Sequence, residues 1–251
     1  MNNSKRPLDN RRADYSSFGR EDQFIVPLLG SVIEGALDRY ARPANGKRRV
    51  LDIGCGAQPM RERLEQGGYI YVGVDVVQNV IGTVDVIAAI DQSLPSELLA
   101  AQPFDLLLCT EVLEHVAHWA VAFENFSRLL APGGRLIITC PFVWKHHEEP
   151  YDFWRPTVHA IQAHADRVGL VVLEKRAEGT IREVLGSIIA QVQIAHDGNG
   201  PWVWFRRRLI AVVRLGLTTL LKSSWFRGDV RLEGEYHLTT FAVLTKPAGA
   251  A

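Results

Sequence analysis

Cysteine is scarce in this sequence, and long apolar segments are absent from it. The three cysteines form no C-x-x-C pair, and each stands at the end of a predicted strand: Cys55, Cys109 and Cys140. This usage predicts small buried thiols in a reducing compartment, not a disulfide framework. No stretch of about 18 uncharged apolar residues occurs, so the sequence predicts no helix that spans a bilayer.

The formal net charge at pH 7 is zero, because 28 Lys and Arg residues balance 28 Asp and Glu residues. With no overall positive charge and no evident basic groove, we expect no nucleic-acid partner. Residues 1–12 are polar and basic, and no apolar core follows them. This pattern predicts no signal peptide and therefore a cytoplasmic protein.

One short stretch organises the rest of the 251 residues. The apolar run Val50–Ile53 is typical of a strand buried on both faces of a parallel sheet. It ends at Gly54 and Gly56, which permit positive φ angles and let a ligand lie against the main chain. Pro59 occupies the third position of the G-x-G-x-x-G pattern, so the turn departs from the dinucleotide-binding fingerprint.

A second apolar strand, 69–75, ends in Asp75, and an acid in this position accepts hydrogen bonds from ribose hydroxyls. The pair of Asp52-x-Gly-x-Gly and Asp75 resembles motifs one and two of the class I S-adenosylmethionine (SAM)-dependent methyltransferases. The resemblance implies SAM as the cofactor and S-adenosylhomocysteine as its product. It also implies cofactor contacts from Asp52, Gly54, Cys55, Gly56, Asp75 and Val76.

Three later segments extend this resemblance. The strand 104–109 leads into Thr110–Val116, which resembles the segment after strand four of the "type 11" methyltransferases. A helix over 119–130, a Pro-Gly-Gly turn and a strand over 135–140 follow in the family's order. The implied fold is α/β, a Rossmann-like seven-stranded sheet with a helical insertion before the last strand. Thr110 and Glu111 become further candidate cofactor contacts.

Asp91 is a further candidate cofactor contact, in the loop after a short third strand, 84–87. Family members often place an acid near this point to meet the adenine amino group. Asp91 lies one position off the usual spacing before Leu94-Pro95, so a plain loop aspartate is an equal alternative.

The loop after the fifth strand carries the densest polar chemistry. The segment His147–Thr157 resembles a motif of methyltransferases found with surface-polysaccharide and O-antigen assembly. The resemblance implies O-methylation of a sugar or a lipid-linked glycan in polysaccharide biosynthesis. A packed loop whose polar groups bond to one another is the structural alternative.

Methylation of an alcohol requires a base, and a histidine titrates near neutrality. We predict His147 as this base, with His146 as its rival. Asp152 would orient the imidazole or hold a sugar hydroxyl, and Arg155 would bind an anionic group. Three aromatic rings could stack on a sugar face: Trp144, Tyr151 and Trp154.

A metal-assisted arrangement competes with the simple base. Glu111, Glu114 and His115 have the spacing of one helical face, and His147 could add a fourth ligand. Some ubiquinone-pathway and small-RNA 2′-O-methyltransferases bind a divalent cation through a similar Glu-x-x-Glu-His. The same Glu-x-x-Glu-His sequence is common in relatives that need no metal. Our prediction therefore includes no metal and leaves the cation as an alternative.

The chain divides into an N-terminal arm and helix (1–48), a SAM-binding core (49–176), a helical insertion (177–234) and a last strand with a tail (235–251). The leading helix, about 21–40, would close over the cofactor or merely cover a sheet edge. The insertion predicts helices over 181–194 and 202–221, joined by a turn at 197–201, and Trp225 follows them.

The second insertion helix combines basic and apolar residues. At about 100° per residue one narrow face holds Arg207, Arg214, Thr218 and Lys222. The remainder holds Trp202, Phe205, Leu209, Val212, Val213, Leu217 and Leu220. This composition favours peripheral contact of 202–222 with a membrane surface, at the inner face of the membrane. Packing on the core or on a second subunit of a homodimer is the alternative.

Three alternative classes of function are therefore consistent with the sequence. An O-methyltransferase of a sugar or lipid-linked glycan is favoured by the 147–157 motif and by the insertion. An O-methyltransferase of a small metabolite or natural product shares the core but does not explain the insertion. A non-catalytic SAM-binding protein would be expected to lack the polar residues that the loop retains.

Overall fold

The computed structural model describes residues 14–41, 46, 48–192, 200–223 and 236–248. Predictions that concern 1–13, 42–45, 47, most of the turn at 197–201 and Trp225 lie outside the described residues. The strands are β1 (Arg48–Ile53), β2 (Tyr69–Asp75), β3 (Val86–Ile87), β4 (Phe104–Thr110), β5 (Leu130–Pro141), β6 (Val171–Glu178) and β7 (Thr239–Thr245). The helices are α1 (Ile25–Tyr40), α2 (Arg61–Gln66), α3 (Ser96–Ala101), α4 (Trp119–Leu129), α5 (Val158–Arg167), α6 (Ile181–Gln191) and α7 (Pro201–Lys222).

These strands form one mixed sheet in the order β3-β2-β1-β4-β5-β7-β6. The pairs from β3 to β5 are parallel, whereas β7 runs antiparallel to both β5 and β6. The predicted seven-stranded α/β fold with a helical insertion before its last strand is confirmed. The chain order reverses at β1 and β4, and ligands of such sheets bind at the carboxyl ends of the strands at this point.

Alternate residues of the central strands supply two apolar cores, as the two-residue period of a strand requires. Val50 and Leu106 pack with α1 and α2 on one face of the sheet. Leu51 and Leu107 pack with α3, α4 and α5 on the other. Burial on both faces explains why β1 and β4 are nearly continuous apolar runs.

A third cluster joins the N-terminal region to the insertion. Phe24 and Leu29 pack there with Val184 of α6 and Leu221 of α7. Gly186 of α6 lies so close to the Phe24 ring that a Cβ would approach it to 2.5 Å. The insertion therefore packs against the helix that opens the described chain.

Several predicted element boundaries were wrong. The leading helix begins at Ile25, β3 is reduced to two residues, and β7 begins only at Thr239. The expected turn at 131–134 forms an irregular first part of β5, with a shift in its register against β4. The three cysteines are buried and form no disulfide.

Helix α7 turns its narrow basic face toward the protein body. Thr218 and Leu221 are buried on that side, and the Arg214 Nη1 donates to the Val192 carbonyl oxygen at 2.8 Å. The opposite side exposes a broad apolar face, which includes Trp202, Trp204, Phe205, Leu209, Val212, Val213, Leu215, Leu217 and Leu220. No described helix is both long enough and apolar enough to cross a membrane.

Candidate active site

The glycine turn connects β1 to the end of β2. Gly54 N and Cys55 N both donate to the Val74 carbonyl oxygen, at 2.8 and 3.1 Å. Gly54 and Gly56 have φ angles of 67° and 52°, in the left-handed region that disfavours residues with a Cβ. A Cβ on Gly54 would lie 2.3 Å from Val112 Cγ2. The turn therefore requires glycine at position 54 for its conformation and for its close packing.

The two predicted acidic residues lie beside this turn. One carboxylate oxygen of Asp75 accepts from Gly56 N at 3.0 Å and the other from Val77 N at 3.3 Å. Asp52 accepts a hydrogen bond of 2.5 Å from the Tyr71 hydroxyl. Burial of the Asp52 carboxyl raises its pKa to about 7.

A single cavity of about 940 Å³ extends from this turn to the loop after β5. The predicted cofactor contacts Asp52, Gly54, Cys55, Gly56, Asp75, Val76, Asp91, Thr110 and Glu111 all line it. The predicted acceptor-side residues Trp144, His147 and Tyr151 line it as well. The carboxyl ends of β1, β2, β4 and β5 thus open into one space.

The segment before α1 and the start of that helix form another wall of the cavity. Gly19–Asp22, Ile25 and Leu29 all line it. The sequence analysis placed the leading helix over the cofactor or over a sheet edge, and it named no individual residue for either role. The contact makes this segment a candidate lid.

Four predicted site residues do not line the cavity: His146, Asp152, Trp154 and Arg155. The His146 side chain is 81% exposed, with its Nδ1 3.8 Å from the Glu149 carboxylate. Trp154 donates its Nε1–H to the Val116 carbonyl oxygen at 2.9 Å, outside the cavity. In this structure the His146 and Trp154 side chains therefore lie away from the cavity that His147 and Tyr151 line.

Arg155 and Asp152 form a clamp beneath the loop. The two terminal nitrogens of Arg155 bind both oxygens of Asp152, at 2.6 and 2.7 Å. Burial opposes ionisation of Asp152, but these bonds and the His147 N–H hold its pKa at about 2. The guanidinium of Arg155, which was predicted to bind an anionic group, is paired with Asp152 in this structure.

The same clamp orients His147. His147 N donates to Asp152 Oδ2 at 3.0 Å, and the imidazole Nδ1 lies 3.4 Å from that oxygen and 3.3 Å from the Lys145 carbonyl oxygen. These acceptors favour a proton on Nδ1 and leave Nε2 with its lone pair. Burial, aided by His115, lowers the pKa of His147 below its ordinary value, so the imidazole is neutral.

Glu114, His115 and His147 form a compact cluster, which we call the Glu-His-His cluster. One potential ligand atom from each residue lies within 4.8 Å of the others. His115 Nδ1 is 2.9 Å from the Tyr151 carbonyl oxygen, which directs Nε2 toward Glu114 Oε1 at 3.6 Å. His147 Nε2 is 3.8 Å from that same oxygen.

Glu111 is not a member of this cluster, which contradicts the helical spacing predicted for the alternative metal site. Glu111 has a φ of 54°, and only 113–115 form a short 3-10 helix. The positive φ turns the Glu111 side chain away from the cluster. Thr239 Oγ1 donates to Glu111 Oε1 at 3.2 Å.

The cluster nevertheless fits a divalent cation by its donor chemistry. Glu114 is fully buried, and its Oε1 has no hydrogen-bond partner among the described residues. Burial, aided by the Glu111 charge, raises the pKa of Glu114. A buried carboxyl oxygen without a partner, faced by two imidazole nitrogens, is the set that Zn²⁺ or Mn²⁺ would accept.

Comparisons with known proteins agree with this architecture. A family model described as a methyltransferase domain matches residues 29–170, more than half of the chain. A ubiquinone biosynthesis O-methyltransferase of Caulobacter sp. (strain K31) is 37% identical over 125 residues, which cover 44% of this chain and 49% of the relative. Another from Bradyrhizobium diazoefficiens is 33% identical over 128 residues, which cover 46% and 51%. The chain thus spans about half the length of the curated relatives that it matches.

Solved structures show the same fold at low sequence identity. A phosphoethanolamine N-methyltransferase 2 from Haemonchus contortus, in complex with SAM, has a TM-score of 0.54 and 18% identity, covering 96% of this chain and 59% of that chain. A SAM-dependent methyltransferase from Archaeoglobus fulgidus has a TM-score of 0.53 and 16% identity, covering 89% and 98%.

Proposed function

The chain belongs to the methyltransferase domain family, and from this membership we propose that it transfers a methyl group from SAM to a hydroxyl oxygen. One observation carries the proposal: a single cavity joins the glycine turn and Asp75 to the Glu-His-His cluster. SAM would place its methionine part against Gly54–Gly56 and its ribose on Asp75. Its methyl group would then face the histidines.

The transfer is an in-line displacement at the methyl carbon. The acceptor oxygen forms the new C–O bond while the C–S bond breaks. The electron pair of the C–S bond stays on the sulfur of S-adenosylhomocysteine. The hydroxyl proton passes to His147 Nε2, the unprotonated nitrogen, and later to water. The protein contributes mainly by positioning the reactants and by removing this proton.

Two acceptor classes compete. The resemblance of the 147–157 loop favours a sugar hydroxyl on a lipid-linked glycan, and the Trp144 and Tyr151 rings line the cavity where a sugar would stack. The curated relatives are ubiquinone biosynthesis O-methyltransferases, which favours a hydroxyl of a small metabolite instead. We propose the glycan, because a broad apolar face on α7 suits a lipid-linked acceptor.

The experiment is a mass-spectrometric methylation assay. SAM and the protein are incubated with lipid-linked saccharides, nucleotide-linked sugars and a prenylated hydroxyaromatic compound in separate reactions. We expect one added methyl group on the lipid-linked saccharide. Methylation of the aromatic compound alone would replace the glycan proposal, and no methylation of any hydroxyl would contradict O-methyl transfer.

A divalent cation in the Glu-His-His cluster is the second candidate mechanism. Its specific support is Glu114 Oε1, which has no hydrogen-bond partner among the described residues and lies beside two imidazole nitrogens. A bound cation would lower the pKa of the acceptor hydroxyl. Glu114, His115 and His147 would hold it.

Chelation separates the two mechanisms. For proton removal by His147 alone, we expect dialysis against a chelator to leave turnover unchanged, because no step requires a cation. Turnover is measured before dialysis, after it, and after addition of Mg²⁺, Mn²⁺ or Zn²⁺. Loss on dialysis with recovery on addition would change the role of His147 from base to ligand.

Helix α7 supports contact with an anionic membrane. Its 22 residues include no Asp or Glu, and Arg206 and Arg208 are exposed beside the apolar face. Trp202 is 82% exposed near the helix start, and tryptophan favours the interface between water and lipid. A second copy of the chain could also cover the apolar face, but it would not account for the exposed Arg206 and Arg208, so we propose a membrane rather than a dimer.

We expect the Arg206→Glu/Arg208→Glu double variant to lose membrane binding in a flotation assay with liposomes that contain anionic lipid. Each cation removed near the surface costs about 1 kcal/mol of membrane-binding free energy. The affinity for the liposomes should therefore fall at least roughly 30-fold. Arg207 is left unchanged because it faces the protein body. The control, Arg167→Glu/Lys175→Glu, makes the same charge change on α5 and β6. Equal flotation of both double variants, or a soluble dimer that never floats, would contradict membrane contact.

A further inference from the structure

A second cavity lies between α7 and the segment before α1. It has a volume of about 480 Å³ and is lined by residues of 18–23 and of 208–222. Gly19 and Arg20 also line the candidate active site, so one chain segment separates the two cavities. We call this second space the α7 cavity.

Four cationic side chains line the α7 cavity: Arg20, Arg208, Arg214 and Lys222. Among the residues that the structure describes, none of those lining this cavity is acidic. The neighbouring carboxylates Glu21 and Asp22 line the active-site cavity instead, and Glu21 pairs with Lys145. The described lining of the α7 cavity is therefore positively charged, whereas Glu21 and Asp22 face the active-site cavity.

These cations have no carboxylate partners within the described part of the chain. Arg208 lies over the Trp204 ring at 5.2 Å, and Lys222 lies over the Phe24 ring at 5.5 Å. Arg214 donates one bond, from Nη1 to the Val192 carbonyl oxygen. Guanidinium groups with free N–H donors bind phosphate oxygens in pairs, so the unmatched charge suits a phosphate.

Apart from Gln23 and Thr218, the remaining lining is apolar, and it continues onto the exposed face of α7. Phe18, Val212 and Leu215 line the cavity, and Val212 and Leu215 are 65% and 66% exposed. A free inorganic phosphate would gain nothing from these side chains. An anionic lipid would place its phosphate among the cations and its chain along the apolar face.

We propose that the α7 cavity binds the phosphate group of a membrane lipid. If the proposed methyl transfer to a lipid-linked acceptor is correct, on which this step rests, the bound lipid is the acceptor itself. Its phosphate would lie in the α7 cavity, and its hydroxyl would reach past Gly19-Arg20 into the active site. The substrate class is then a lipid that carries both a phosphate and a sugar hydroxyl.

Calorimetry with dioctanoyl phosphatidic acid, below its micelle concentration, tests the site without any methyl transfer. We expect saturable binding that Arg20→Glu or Arg208→Glu weakens about 10- to 100-fold, as the loss of a charged hydrogen-bonding partner does. Arg206→Glu is the matched control, because Arg206 is exposed on the same helix and does not line the cavity. It should bind as the wild type does.

Three other outcomes would overturn the proposal. An equal loss in all three variants would mean general attraction to α7. Equal affinity for inorganic phosphate would remove the lipid, and an absence of binding would remove the site. SAM binding and thermal unfolding of each variant confirm folding. Failure of the methylation assay with intact phosphatidic acid binding would contradict the enzyme proposal and leave this site standing.

Discussion

The His147→Ala variant should lose about 10²–10⁴-fold in turnover and keep its affinity for SAM, because general-base assistance has this size. The expectation rests on geometry: Asp152 and the Lys145 carbonyl oxygen fix the Nδ1 side of the ring, and Nε2 is left as the base. The lowered pKa keeps this imidazole neutral and ready to accept a proton. Turnover by the methylation assay and SAM affinity by calorimetry are the two readouts.

His146→Ala is the control for this prediction. It removes the adjacent histidine, which is exposed and does not line the cavity, so activity should be unchanged. His115→Ala adds a second comparison, since a cation would require both histidines of the cluster. A His147→Ala enzyme that turns over normally would remove the base assignment.

The Gly54→Ala variant should lose both stability and SAM affinity. A left-handed conformation costs a residue with a Cβ about 1–2 kcal/mol. The new methyl group would also overlap Val112 Cγ2, and overpacking typically costs about 1–3 kcal/mol more. Relief of the overlap displaces the turn that would hold the methionine part of SAM. We expect affinity to fall about tenfold or more, which requires only about 1.4 kcal/mol.

Gly169→Ala separates strain from overlap. Gly169 has a φ of 73°, close to that of Gly54, but nothing lies within 4 Å of its added Cβ. It follows α5, far from the turn along the chain, and does not line the cavity. We expect a modest fall in melting temperature with unchanged SAM binding. Equal SAM affinity in both alanine variants would show that the turn at Gly54 does not contact the cofactor.

Local sequence patterns predicted the core of the fold well because each acts over a short distance. The apolar runs of β1 and β2 pair in parallel with Asp52 opposite Gly73, which carries the glycine turn to the end of β2 beside Asp75. Strand polarity and turn chemistry indicated these two strands and the glycine turn, and the family resemblance implied their place in the sheet.

The loop after β5 could be predicted only in part. Sequence proximity did not distinguish His146 from His147, because backbone geometry decides which imidazole faces the cavity. Positive φ angles at Glu111 and Glu148 turn the chain in ways that helical spacing does not represent. Arg155 looked available to a substrate, but its partner Asp152 lies only three residues away and occupies it.

Contacts between distant parts of the chain were predicted only in outline, since the leading helix was expected over the cofactor but the residues that make the contact were not. The wall formed by Gly19–Asp22 depends on the packing of Phe24 against α6, far along the chain. The pattern of α7 identified its two faces, but not that the basic one would turn inward. That orientation depends on Leu221 joining the cluster around Phe24.

The structure of the protein with bound S-adenosylhomocysteine tests the central claim most directly. We predict the methionine part against Gly54–Gly56, a ribose hydroxyl on Asp75, and the sulfur directed toward the Glu-His-His cluster. Binding of S-adenosylhomocysteine outside this cavity, or within it with the sulfur directed away from His147, would contradict the account.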